Sequence, residues 1–105
     1  MRAPRSTDQP NALEAEILAE KLAAYVRIAR KLEGLVTAAE AARRAVSACR
    51  EIDRPGIVAR FEELRRQAEQ YFWYLIVQRE ALGLRHHEGL GRHDPIPAPV
   101  QGEPR

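Results

Sequence analysis

Asp53-Arg54-Pro55-Gly56 decides the fold of this chain. An aspartate able to cap, a proline whose fixed φ suits a first helical turn, and a glycine stand together between two long apolar repeats. Upstream, the apolar positions fall at Leu18, Leu22, Tyr25, Ala29, Leu32, Val36 and Ala39, then continue through Arg43 and Val46. The steps alternate four and three without a slip, which is the spacing of one helical seam. Downstream, Ile57, Phe61, Leu64, Ala68, Tyr71, Leu75, Gln78 and Leu82 repeat the pattern and stop near Gly83. A connection this short obliges the two helices to run antiparallel.

The expected fold is therefore all-α, an antiparallel helical hairpin with a long helix over about 11–52 and a second over about 57–84. Asn11 and Glu14 have the spacing of a capping box and mark the start. Gly34 lies inside the first seam, where glycine costs about 1 kcal/mol relative to alanine, and Thr37 with Glu40 could cap a new helix. A break over Gly34–Thr37 would give a three-helix bundle. The undisturbed register favours one unbroken helix. On the polar side of the second helix, Glu62 and Arg66 stand at i,i+4 in the favourable order.

Outside the hairpin the composition changes. Residues 1–10 hold two prolines and no large aliphatic residue beyond Met1, and read as a flexible leader. Residues 85–105 form a His-, Gly- and Pro-rich tail in which Pro95, Pro97 and Pro99 favour polyproline II, a shape that loses little entropy on binding. The hairpin domain is then 11–84.

Two helices cannot cover one another at Tyr71-Phe72-Trp73-Tyr74-Leu75-Ile76-Val77, which is apolar on every side. The expected closure is a homodimer forming a four-helix bundle, with a heterologous protein as the rival partner. Tyr71, Phe72, Trp73, Tyr74 and Ile76 are the expected partner-binding residues, joined or not by the Pro-rich tail, because aromatic side chains dominate interface energetics.

Other chemistry is thinner. The tail carries His86, His87, Glu88 and His93, donors that suit zinc or a related metal, in a spacing that matches no known ligand signature. The plainer reading is a polar helix end, with histidines near the negative C-terminal dipole and Gly89 or Gly91 as the cap. Cys49 and Ser47 have no base placed beside them by spacing, and no phosphate loop, paired-carboxylate motif or dinucleotide fingerprint occurs. The expectation is a protein that is not an enzyme and needs no cofactor.

Charge is nearly balanced, 17 Lys and Arg against 15 Asp and Glu for a net +2. Over residues 27–54 seven basic residues face four acidic ones, a stripe that phosphate could touch, although carboxylates interrupt it and a solvated face explains it better. A single cysteine excludes an internal disulfide, and no signal-peptide h-region or membrane-length apolar run is seen. The cytoplasm is the expected compartment.

Overall fold

In a computed structural model the described residues, 11–84 and 96–100, contain two long helices and no strand. Helix α1 spans Ala12–Ala48 and helix α2 spans Arg54–Ala81, joined by a short 3-10 turn at Glu51–Asp53.

The start of α1 is set by its capping box. The Asn11 side chain accepts from the Glu14 amide at 2.7 Å, and the Glu14 carboxylate accepts from the Asn11 amide at 3.2 Å. From there α1 runs without interruption through Gly34, so the three-helix alternative does not arise. It ends four residues short of the expected 52, where Cys49 turns extended (φ −83°, ψ 165°). The 3-10 turn takes up the difference.

Asp53 does not cap α2. Its carboxylate instead accepts from Arg50 Nε at 3.0 Å, and α2 begins at Arg54 rather than Ile57, with Pro55 in the first turn, where its missing N–H costs nothing. At the far end, the Leu84 amide donates to Arg79 O at 2.8 Å and the Gly83 amide to Glu80 O at 3.0 Å, a Schellman pair closed by Gly83 at φ 86°. The helix therefore stops at Ala81, three residues before the expected 84, and its cap is Gly83, not Gly89 or Gly91.

The helices meet along Leu32, Leu35 and Ala39 of α1 and Phe61, Leu64, Ala68 and Leu75 of α2. The α2 row is the predicted seam. In α1 the buried row takes Leu35 in place of Val36, which is half-buried at the edge, so the contact face is rotated slightly from the predicted one. Ala39 and Ala68 have no exposed surface, and their small side chains let the backbones approach while Phe61, also wholly buried, fills the space between. Val46 closes the α1 side near the turn.

Every buried residue of this core lies between 32 and 75. Toward the open end the pairing runs out. Lys21 Nζ reaches Ala81 O at 3.3 Å, so the last residue of α2 lies beside Lys21, and the first turns of α1 extend past it. No helix among the described residues is long and apolar enough to cross a membrane.

Candidate interaction surface

The large apolar side chains left exposed lie mostly in the open half of the hairpin. Leu13, Ile17, Leu18, Leu22 and Val26 of α1 are exposed, as are Trp73, Tyr74 and Val77 of α2 and Leu84 just beyond it. Leu18 and Leu22 belong to the predicted seam, yet the structure leaves them bare. The register partner of Leu18 would lie at or beyond the Gly83 cap, where α2 has ended, whereas Leu22, next to Lys21, lies beside the last turn of α2 and is exposed on its flank. Ile52, at the turn, is the one large exposed apolar residue elsewhere among the described positions.

The predicted partner-binding residues divide by helical direction. Phe72 and Tyr71 are half-buried against the core, and Ile76 is half-buried on the same flank of α2 as Phe72. Tyr71 meets Tyr74 edge-on with ring centroids 5.2 Å apart, Lys31 Nζ stands 5.9 Å from the Tyr71 centroid, and Gln70 Nε2 donates to the Tyr74 hydroxyl at 2.9 Å. Trp73 is left out of this cluster. It is 62% exposed, and with Val77 one turn on it lies on the side of α2 that faces away from α1.

Leu18 and Leu22 share one broad face of the hairpin with partly buried groups of both helices. At 100° per residue, Leu18, Leu22, Ala29, Val36 and Arg43 fall along one flank of α1, and Arg65, Phe72 and Ile76 along the matching flank of α2. Between them, Ala29, Leu32, Glu33, Val36, Thr37 and Leu75 line an apolar groove of about 230 Å³. A larger open groove of about 430 Å³ lies at the end, between Ile17, Leu18 and Lys21 of α1 and Ala81, Leu82 and Gly83.

Near the turn this face is already covered. Ile96 and Val100 pack against the core, the guanidinium of Arg43 donates to the carbonyls of Ala98 and of Pro99 (3.2 Å for the latter), and Arg65 Nε donates to Pro97 O at 3.1 Å. The same Arg43 guanidinium lies 5.7 Å from the Phe61 ring centroid, and Arg65 is paired with Glu69 at 3.1 Å. The seam position of Arg43 was legible in the sequence; its task of holding the proline-rich stretch was not.

The polar side of α2 pairs differently from expectation. Arg66 joins Glu63, at i,i+3 and 2.6 Å, rather than Glu62. The Arg66 guanidinium and then the Gln67 amide hold the Glu63 carboxyl down to about 2 from its ordinary 4.5, and the same bond raises Arg66.

His86, His87, Glu88 and His93 lie outside the described residues, as does the 1–10 leader. Among the described residues no group of three His, Cys, Asp or Glu side chains is placed to hold a metal ion. Cys49 is half-buried at the end of α1 with its thiol against Val46 O at 3.4 Å. Of the basic stripe, Arg27, Arg30, Lys31, Arg44 and Arg50 are exposed, whereas Arg43 is engaged by the proline-rich stretch. Comparison of the chain with protein-family models, with curated proteins and with solved structures finds no match.

Proposed function

We propose that this chain is a non-enzymatic helical association module whose open end mates with the open end of a second copy, completing a four-helix bundle. The observation that carries it is the placement of the exposed apolar side chains: nearly all of them stand in the open half of the hairpin, and Leu18 and Leu22 continue a face that is covered near the turn. A patch of this kind on a small protein marks a surface that another chain removes from water.

Two features favour a second copy over a different protein. Leu18, Leu22 and Val26 form a four-residue ridge that is symmetric about Leu22, so a two-fold axis through Leu22 would lay the ridge against itself. Charge along α1 is also largely segregated, with Lys21 and Glu33 the exceptions: Glu14, Glu16 and Glu20 precede Arg27, Arg30 and Lys31. An antiparallel copy sets each acidic stretch beside a basic one. Phe72 and Ile76, on the flank of α2 that matches Leu18 and Leu22, would then border the new interface.

Sedimentation equilibrium on the full chain tests the reading. The expected result is a concentration-dependent mass approaching twice 11.9 kDa. Leu22→Arg should return the mass to that of one chain with helicity retained, and Ile76→Ala should weaken association by a smaller factor. A single-chain mass at every concentration would overturn the proposal, as would a dimer that Leu22→Arg leaves intact.

A further inference from the structure

The contacts near the turn describe a ligand as well as a fold. Three successive carbonyls, of Pro97, Ala98 and Pro99, accept from arginines on two different helices, and two apolar side chains four residues apart, Ile96 and Val100, anchor the ends. A segment with proline at 95, 97 and 99 has acceptors but few amide donors, so it cannot add to a sheet or continue a helix. Guanidinium groups, which only donate, are the complementary chemistry. Prolines also fix the strand before it binds, so little entropy is lost on docking.

The receiving side is equally specific. Arg43 is held over the Phe61 ring and Arg65 by Glu69, so both guanidinium groups are oriented by the hairpin itself. Arg65 has only 22% of its side chain exposed. From Leu84, where α2 ends, back to Arg65 is about 28 Å along the helix at 1.5 Å per residue. The chain from Leu84 to Ile96 can span about 40 Å at most. A tether of this length is therefore long enough to reach its own hairpin, and a short tether gives an effective concentration in the millimolar range.

We infer that the Arg43–Phe61–Arg65 face is a peptide-recognition groove for an extended, proline-interrupted segment with an apolar residue at each end, and that residues 96–100 of the same chain are its resident ligand, bound in cis. A free peptide of the same chemistry enters only by displacing them. This goes beyond self-association, which uses the other end of the hairpin and is read by a different measurement.

The test uses the full chain and its double variant Ile96→Asp, Val100→Asp, which removes both anchors and leaves the hairpin untouched. Backbone amide NMR of the two proteins should differ at residues 42–44 and 61–66 and agree at the open end. Adding a capped synthetic peptide of residues 94–101 should then move those same amides back toward their wild-type positions, with binding to the double variant at least about tenfold tighter than to the wild type, whose own segment competes. In the double variant, Arg65→Gln should abolish this binding while circular dichroism stays unchanged. Identical spectra of wild type and double variant, or no binding by the peptide at millimolar concentration, would overturn the inference. Mixed-label dimers in which the peptide contacts arise only between different chains would overturn its cis form.

Discussion

At the turn end of the hairpin Ala39, Phe61 and Ala68 have no exposed surface, whereas at the open end Leu13 is 64% exposed and Ile17 and Leu18 are each 45% exposed. The two ends are built from the same kind of sequence, a four-and-three apolar repeat, and the same two helices form both. What separates them is length. The turn sets the register, and α2 ends beside Lys21, while α1 continues for two more turns past the end of that helix. Near the turn a third strip of chain, 96–100, supplies the cover that two helices cannot give each other. Burial in a hairpin thus follows from what lies opposite, and a good apolar pattern is necessary without being sufficient.

Removing the centre of the closed half is the most damaging way to break this contrast. Phe61 is the one large side chain with no exposed surface, and it also underlies Arg43. Phe61→Ala should cost about 3–5 kcal/mol, a large part of the stability of a domain this thin. Urea unfolding followed by circular dichroism would show it as a fall in midpoint. A loss below about 1 kcal/mol would mean that the closed half is not where the stability resides.

A change at the cap acts on the open half alone. Gly83 sits at φ 86°, which any other L-residue adopts at a cost of about 1–2 kcal/mol. Gly83→Ala should therefore fray the last turn of α2, and hydrogen exchange should quicken for the amides near 79–82 while those around Phe61 keep their protection. Uniform loss across both helices would show that the two halves unfold as one unit.

Gly34 stands between the halves, and a Cβ added there meets nothing within 4 Å. With the helix continuous through it, Gly34→Ala should raise stability by about 1 kcal/mol, seen as a higher melting midpoint. If the midpoint falls, the glycine is being used as a hinge.

Much of this architecture could be read from residue order. The Asn11 capping box, the α2 seam through Phe61 and Leu75, the turn at Asp53–Gly56 and the stop near Gly83 all rest on local chemistry, which acts within a few residues and leaves a direct mark in sequence. The misreadings came from longer range. Leu18 continues the seam faultlessly, and only the end point of α2 decides that it is exposed, while Leu22 is exposed on the flank of the last paired turn. That one of the three adjacent aromatics Phe72, Trp73 and Tyr74 must point away from α1 does follow from helical direction, and Trp73 is the one that does. The grip of Arg43 and Arg65 on residues 97–99 joins positions more than thirty apart, and nothing in the spacing of either arginine announces it.

The smallest expected effect lies on the outer surface of the closed half. Glu63 accepts from Arg66 and from Gln67, and its carboxyl is lowered to about 2. A carboxyl whose folded value is depressed adds stability that is fully present above its unfolded value near 4.5 and disappears as pH falls toward 2. Because the pair is in open solvent, the contribution is small and salt-sensitive. Glu63→Gln should melt slightly below wild type at neutral pH, and the gap should close as the solution is acidified through this window or as salt is raised. A gap that persists unchanged at the acid end would assign the effect of Glu63 to packing of its stem on the helix, not to its charge.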